Sequence, residues 1–344
     1  MHSSNTETYD GRPTLTGVVY KKTIGNYTVH TNGQAVPCEL STRLRKHLIY
    51  PTADPGSLHH RVQKVVELEH VDPLAVGDEV RYIQADEGRG LIVELLPRRN
   101  KLTRRSAVPM PLHHGAHPFE QIIVTNVDQV VPVIAIAQPA PKWNLLDRYL
   151  ASAEEGEIAS LICITKLDLA EGGELDGALE EYRRIGYEYV LTSAVTGEGI
   201  DALKPALADK VSVMVGKSGV GKTALLNALQ PGLGLRVKEV NQVTGKGRHT
   251  TTNLEMFPLD SGGAIVDTPG TREFGLWDIE DDLALLFPEM APLVGKCRFG
   301  LDCQHDEEPG CAIRKAVMAG QIIPRRYQSY LILKEDLKRV RRNL

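Results

Sequence analysis

Residues Gly216-Lys217-Ser218-Gly219-Val220-Gly221-Lys222-Thr223 carry the spacing G-x-x-x-x-G-K-[ST]. Glycines at these positions let several backbone N–H groups turn toward one point, where they cradle phosphate oxygens. Lys222 would reach the β- and γ-phosphates as a point charge, and Thr223 would offer its hydroxyl to Mg2+. Ala224 continues the first turn of the helix, whose N-terminal dipole favours the same anion. The β-branched run Val211–Val215 precedes the loop, and Thr223-Ala-Leu-Leu-Asn-Ala-Leu229 starts a helix well. Strand, loop and helix in that order are the context such a motif needs. The alternative is an ordinary glycine-rich turn.

The base is read by other residues. Thr165-Lys166-Leu167-Asp168 follows the apolar run Leu161–Ile164 and resembles N/T-K-x-D. The Asp168 carboxylate would accept two hydrogen bonds from guanine N1–H and the N2 amino group, a pair adenine lacks. The Lys166 stem would pack across the base. Thr192-Ser193-Ala194 follows a further apolar run and resembles the S-A element that backs guanine, with Ser193 and Ala194 in the binding positions. Asp267-Thr268-Pro269-Gly270 resembles D-x-x-G, with Asp267 acting on Mg2+ through water and the Gly270 N–H on the γ-phosphate. Between these lies Gly247-Arg248-His249-Thr250-Thr251-Thr252, where one threonine completes the Mg2+ shell. Thr251 is the candidate and Thr252 its competitor. Guanine nucleotides, GTP and GDP, are therefore the expected ligands. The base motifs come first, then the phosphate loop, then the switches, so the order is a circular permutation.

Cys297, Cys303, His305 and Cys311 crowd into 15 positions as Cys-x5-Cys-x-His-x5-Cys. Three thiolates and an imidazole make a closed tetrahedral set suited to one structural Zn2+. The remaining cysteines, Cys38 and Cys163, are isolated, and Cys163 reads as a small buried hydrophobe. Formal net charge is −4 over 344 residues. The charge is uneven. Residues 98–105 hold five bases and no acid, and residues 312–344 hold nine Lys or Arg against two Asp or Glu. Such stretches suit a polyanion such as RNA, or else a solvated linker and a charged surface helix. No apolar run approaches the ~20 residues of a membrane helix. The polar start lacks a secretory pattern, so a cytoplasmic monomer without membrane attachment is expected.

Five elements must position these groups. Residues 1–13 are expected to be disordered. Residues 14–97 read as short strands at Leu15–Tyr20, Tyr27–Thr31, Val62–Leu68, Glu79–Ile83 and Gly90–Leu95, a β-barrel of OB-fold type with an SH3-like barrel as the alternative. Residues 98–118 read as a basic linker. Residues 119–286 alternate strands and helices as an α/β P-loop domain with a mostly parallel sheet. Residues 287–344 read as a small α-helical zinc-binding domain that has little core of its own.

Taken together, several stretches resemble the ribosome small-subunit-dependent GTPase A proteins of bacteria. They are Val76-Gly-Asp-Glu-Val80, Leu96-Pro-Arg-Arg-Asn-Lys-Leu-Thr-Arg104, Asn126-Val-Asp-Gln129, the permuted motifs, Asp267-Thr-Pro-Gly-Thr-Arg-Glu-Phe-Gly-Leu276 and Glu308-Pro-Gly-Cys-Ala312. The resemblance covers roughly residues 14–335. It implies an OB-fold, a permuted GTPase and a zinc domain. It implies GTP hydrolysis stimulated by the small (30S) ribosomal subunit, contact with its 16S rRNA, and a part in its late maturation. It also implies His249 as the group that orients the attacking water, beside Lys222 and Thr251, because Thr271 follows D-x-x-G where Ras-like proteins carry Gln. The barrel's basic stretch is replaced here by Ser41-Thr-Arg-Leu-Arg-Lys46. Two other functions fit parts of the pattern. One is an RNA-binding module whose nucleotide domain only senses. The other is a P-loop ATPase or kinase, which Asp168 and Ser193-Ala194 oppose.

Overall fold

The computed structural model describes residues 8–23, 25–49, 73–85, 88–105, 110–112, 115–117, 120–172, 175–233, 254–268 and 282–342. Its N-terminal barrel consists of β1 (Leu15–Thr23), β2 (Asn26–Thr31), β3 (Gln34–Leu40), β4 (Glu79–Gln84) and β5 (Gly90–Leu95), with α1 (Thr42–Ile49) after β3. β1 pairs with β2, β2 with β3, and β4 with both β5 and β1, all antiparallel; β3 and β5 are parallel. The sheet therefore closes in the order β1-β2-β3-β5-β4-β1, the Greek-key barrel of the OB-fold. Val19, Tyr27, Val29, Cys38, Val80, Tyr82 and Ile92 alternate inward and fill it.

Four differences from the sequence reading appear here. The third barrel strand is Gln34–Leu40, which Pro37 and Glu39 disguise, and the expected strand Val62–Leu68 lies outside the described residues. Residues 8–13, expected to be disordered with the rest of 1–13, pair Thr8–Tyr9 with Arg12–Pro13 about an Asp10-Gly11 turn. Both turn residues have positive φ, the pattern of a tight hairpin. The stretch expected as a linker holds β6 (Lys101–Arg105), which pairs antiparallel with β7 (Glu120–Thr125), and Leu102 is buried. Alternation of Leu102 with polar neighbours was the signal, masked by the density of charge.

The α/β domain follows with β8 (Gln129–Ala135), α2 (Trp143–Glu155), β9 (Ala159–Thr165), α3 (Asp176–Ile185), β10 (Glu188–Leu191), α4 (Ile200–Leu207), β11 (Val211–Val215), α5 (Lys222–Leu229), β12 (Glu255–Pro258) and β13 (Ala264–Asp267). The fourth difference is β12, a four-residue strand not anticipated because it is short and ends on proline. Strand order is β10-β9-β8-β11-β13-β12, parallel except for β12. Every residue of β8 is buried, as a central parallel strand requires. Val131 and Val133 face α4 and α5, whereas Ile134 packs with α2 and α3.

The C-terminal part holds α6 (Ala312–Met318) and α7 (Pro324–Arg342) around Phe287, Met290, Ile313, Tyr330 and the three clustered cysteines. Ala151 of α2 belongs to the same apolar cluster, so this core is completed by the α/β domain. Among the described residues no helix is long and apolar enough to cross a membrane.

Candidate functional site

The parallel register brings the separate motifs to one edge. Ala135 stands opposite Thr165, Ile164 opposite Leu191, Pro132 opposite Val215, and Met214 opposite Asp267. The residues just beyond these strand ends are the phosphate loop, Thr165–Asp168 and Thr192–Ala194. Open parallel sheets bind ligands at the carboxyl ends of their strands for this reason.

Within the phosphate loop, Gly221 has φ +94°, and a Cβ on Gly216 would stand 2.5 Å from the Val133 carbonyl oxygen. Side chains at either position would strain or displace the loop. Lys222 is buried, and its Nζ donates to the Gly216 carbonyl at 2.7 Å and to that of Lys217 at 3.5 Å. Its ammonium thus closes over the loop into which phosphate would fit. Burial lowers the Lys222 pKa from its ordinary value, opposed by the charge of Asp267. Burial raises that of Asp267, opposed by Lys222. Asp267 Oδ1 is buried with no hydrogen-bond partner, while Thr268 Oγ1 donates to the Met214 carbonyl at 2.7 Å. An orphaned carboxylate oxygen beside the loop fits a hydrated cation such as Mg2+, which would satisfy it.

The base motif is tied to the phosphate loop. Thr165 Oγ1 donates to the Val220 carbonyl at 2.5 Å. The threonine at the first position of the tetrapeptide therefore has a stated job, which sequence alone did not reveal. Lys166 has φ +61°, and its Nζ donates to the Gln138 carbonyl. Ser193 Oγ donates to Asp168 Oδ1 at 2.5 Å and accepts from the Val195 and Thr196 amides. Ser193 thereby fixes the carboxylate that would read guanine. Lys217, Ser218, Gly219 and Ala224 lie in the same loop and helix start. His249, Thr251, Gly270 and Thr271 lie outside the described residues.

All four candidate metal ligands come together, their ligand atoms within 4.8 Å of one another and all four residues buried. Cys297 Sγ lies 3.8 Å from Cys311 Sγ; His305 Nδ1 lies 3.4 Å from Cys297 Sγ and 3.6 Å from Cys311 Sγ. Tetrahedral zinc at ~2.3 Å from sulfur and ~2.1 Å from nitrogen would separate its donors by about 3.8 Å (sulfur to sulfur) and about 3.6 Å (sulfur to nitrogen). His305 Nε2 bonds Asp282 Oδ2 at 2.8 Å, which orients the ring, and the Ala312 amide donates to Cys297 Sγ at 3.2 Å. The donor set and its spacing fit Zn2+. The Asp282 partner, 23 residues from His305, had no sequence signal.

Much of the basic charge expected on the surface is engaged internally. Arg98 donates two 2.7 Å bonds to the fully buried Asp78, which also accepts from Thr125 Oγ1 and the Ala75 amide. Asn126 Nδ2 donates to the Gly77 carbonyl, Arg99 to Asp128 and the Asn126 carbonyl, and Asn100 exchanges two bonds with Val127. Val76–Val80, Leu96–Arg104 and Asn126–Gln129 are thus one polar knot joining the barrel to the α/β domain. On α7, Arg326 binds Asp147 and Glu289, and Arg325 binds Glu181 and Tyr182 while lying 4.5 Å from the centre of the Trp143 ring. Burial opposes the Arg326 charge, but the two carboxylates outweigh it and hold its pKa well above the ordinary value.

This fold and site have known counterparts. The family model described as RsgA GTPase matches residues 95–277, more than half of the chain. The chain belongs to the RsgA GTPase family. It is a P-loop GTPase that hydrolyses GTP. It is 39% identical over 323 residues to the small ribosomal subunit biogenesis GTPase RsgA of Gemmatimonas aurantiaca, covering 94% of this chain and 97% of that one. Identity with the protein of that name from Pseudomonas aeruginosa is 44% over 263 residues, 75% of this chain and 74% of that one. The crystal structure of YjeQ from Thermotoga maritima superposes with a TM-score of 0.66 at 30% identity, covering 94% and 98% of the two chains. That of YloQ, described as a circularly permuted GTPase, gives 0.65 at 28% identity, covering 98% of each. The permuted order read from the RsgA-type motifs is also the order in which the strands of this sheet are laid down.

Proposed function

We propose that this GTPase binds the small ribosomal subunit through its 16S rRNA and assists the subunit's late maturation, with hydrolysis stimulated by the subunit. The observation that carries the reading is the gathering of Lys222, Asp267, Thr165, Asp168 and Ser193 at one sheet edge, in a chain whose relatives bear the name of small-subunit biogenesis GTPases. Asp168, held by Ser193, selects guanine, and Ala194 backs the base. Backbone N–H groups of 216–223 and the Lys222 ammonium take the phosphates and the charge that develops on transfer. Thr223 and Thr251 would hold Mg2+, with Asp267 accepting from one of its waters, and the ion would supply positive charge to offset that of the phosphates. Gly270 contacts the γ-phosphate, and His249 orients the attacking water. Zn2+ is held by Cys297, Cys303, His305 and Cys311 and supplies stability to residues 287–344. The protein works as a cytoplasmic monomer, built from the OB-fold over 14–97, the connecting stretch 98–118, the GTPase domain over 119–286 and the zinc domain over 287–344.

The test is the GTP turnover rate measured against small-subunit concentration. Saturable stimulation is expected, lost in His249→Ala with nucleotide affinity retained. A rate independent of the subunit would instead favour an RNA-binding module that senses nucleotide. Binding to the subunit should weaken steeply with salt. Arg43, Arg45 and Lys46 on the exposed side of α1 remain available for phosphate, whereas Arg98 and Arg326 are already paired.

A further inference from the structure

β12 is not a free sheet edge. Glu255 and Met256 pair on one side with Asp267 and Val266 of β13, and on the other side Glu255 stands opposite Lys21 of the barrel strand β1. The nucleotide sheet and the barrel therefore form one continuous sheet through β12. The registers align a single row of residues across it. Met214 of β11 lies beside Asp267, Asp267 beside Glu255, Glu255 beside Lys21, and Lys21 beside Thr28 of β2. Residues directly opposite each other on neighbouring strands point to the same face. Asp267 and Glu255 are thus like charges in adjacent places, an unfavourable pairing unless a cation answers it. Each carboxylate has its own cation: Lys222 acts on Asp267, and Lys21 on Glu255, its Nζ 2.9 Å from Glu255 Oε2. Around the row, Val18, Tyr20 and Leu254 pack on the cluster that contains Val76, Met256 and Val266.

We infer that the barrel is coupled to the occupancy of the nucleotide site through this row, with Lys21–Glu255 as the coupling pair. The inference rests on the proposed role of Asp267 at the phosphate end. When a hydrated cation and phosphate occupy the site, the charge balance at Asp267 changes. Glu255 is the adjacent carboxylate in the row, and Lys21 is its counter-ion on the barrel. A nucleotide-dependent shift at Asp267 is therefore transmitted to β1 and, through it, to β2.

The test is amide hydrogen exchange on the full chain, alone, with GDP, and with a non-hydrolysable GTP analogue and Mg2+. Protection at residues 216–223 reports nucleotide binding in the same sample. Exchange at residues 15–31 is expected to differ by about two- to five-fold between the GDP and analogue states, the scale of a partly exposed ion pair. Lys21→Glu and Glu255→Lys should each abolish that difference, and the double exchange should restore it. Both side chains are partly exposed, so the variants are expected to fold. Unchanged exchange at 15–31 with protected 216–223 overturns the coupling alone. A difference that survives in both single variants overturns the assigned pair. Absence of protection at 216–223 overturns the nucleotide site and the coupling with it.

Discussion

Arg326→Met is the perturbation whose cost the structure defines most sharply. The Arg326 side chain is 1% exposed and lies against Asp147, 0% exposed, and Glu289, 9% exposed. Its guanidinium makes three bonds, 2.7 Å to Asp147 Oδ1 and 2.8 and 3.0 Å to the two Glu289 oxygens. Methionine fills most of the volume but leaves both carboxylates buried without the guanidinium that bonds them. Breaking one side of a buried pair costs about 3–5 kcal/mol. That is a large share of the ~5–15 kcal/mol that holds an ordinary domain together. Asp147 lies on α2 and Glu289 within residues 287–344, so the loss weakens both the α7–α2 contact and the zinc domain itself, which should unfold in an earlier, distinct transition. Trp143, stacked under Arg325, reports the event by fluorescence during urea unfolding. Adding Asp147→Asn and Glu289→Gln removes the uncompensated charges and still leaves Tyr182 Oη an acceptor. About 2 kcal/mol should return, since much of the penalty is buried charge rather than lost contact. A single-variant cost below ~1 kcal/mol, or a triple variant no more stable than the single, would refute the account.

Three further outcomes follow from the site. Lys222→Ala removes the ammonium over the phosphate loop and should weaken GTP binding at least about 100-fold, the scale of two charge-assisted bonds, in a fluorescent-nucleotide titration. Asp168→Asn should lower GTP affinity by about 100-fold and raise that for xanthine nucleotides, read by competition; unchanged GTP affinity would count against the base assignment. Cys303→Ser should reduce bound zinc from one per chain and lower the melting temperature of residues 287–344 while leaving nucleotide affinity at 216–223 intact; full zinc retention in the variant would remove Cys303 from the ligand set.

The site was legible to different degrees for different reasons. The phosphate loop is eight contiguous residues whose types act through their own backbone, so its chemistry needs no distant partner. The cysteine–histidine cluster spans 15 positions and is legible for the same reason: short spacing confines the ligands. Thr165–Asp168 and Ser193–Ala194 were legible as motifs, but the bonds from Thr165 to Val220 and from Ser193 to Asp168 were not, because they cross between strands. In the fold, β9 and β11 matched the apolar runs Leu161–Ile164 and Val211–Val215, and α5 the helix start at Thr223, to within a few residues. β3 and β12 did not, since proline and charge in so few residues cancel the β signal that neighbouring strands supply.

Charge shows the division most clearly. Composition established that residues 98–105 and 312–344 are basic, and that much is a property of the chain alone. Whether each base faces solvent depends on an acid brought near by folding. Arg98 meets Asp78 across 20 residues, and Arg326 meets Asp147 across 179. Local spacing determined the phosphate loop, the metal ligands and the order of the motifs. Tertiary structure decided which strand ends share an edge, which charges are neutralised inside, and that β12 joins the nucleotide sheet to the barrel. The physical reason is range: backbone conformation and ligand spacing act over a few residues, whereas ion pairing and strand register are set by neighbours in space that the chain order does not name.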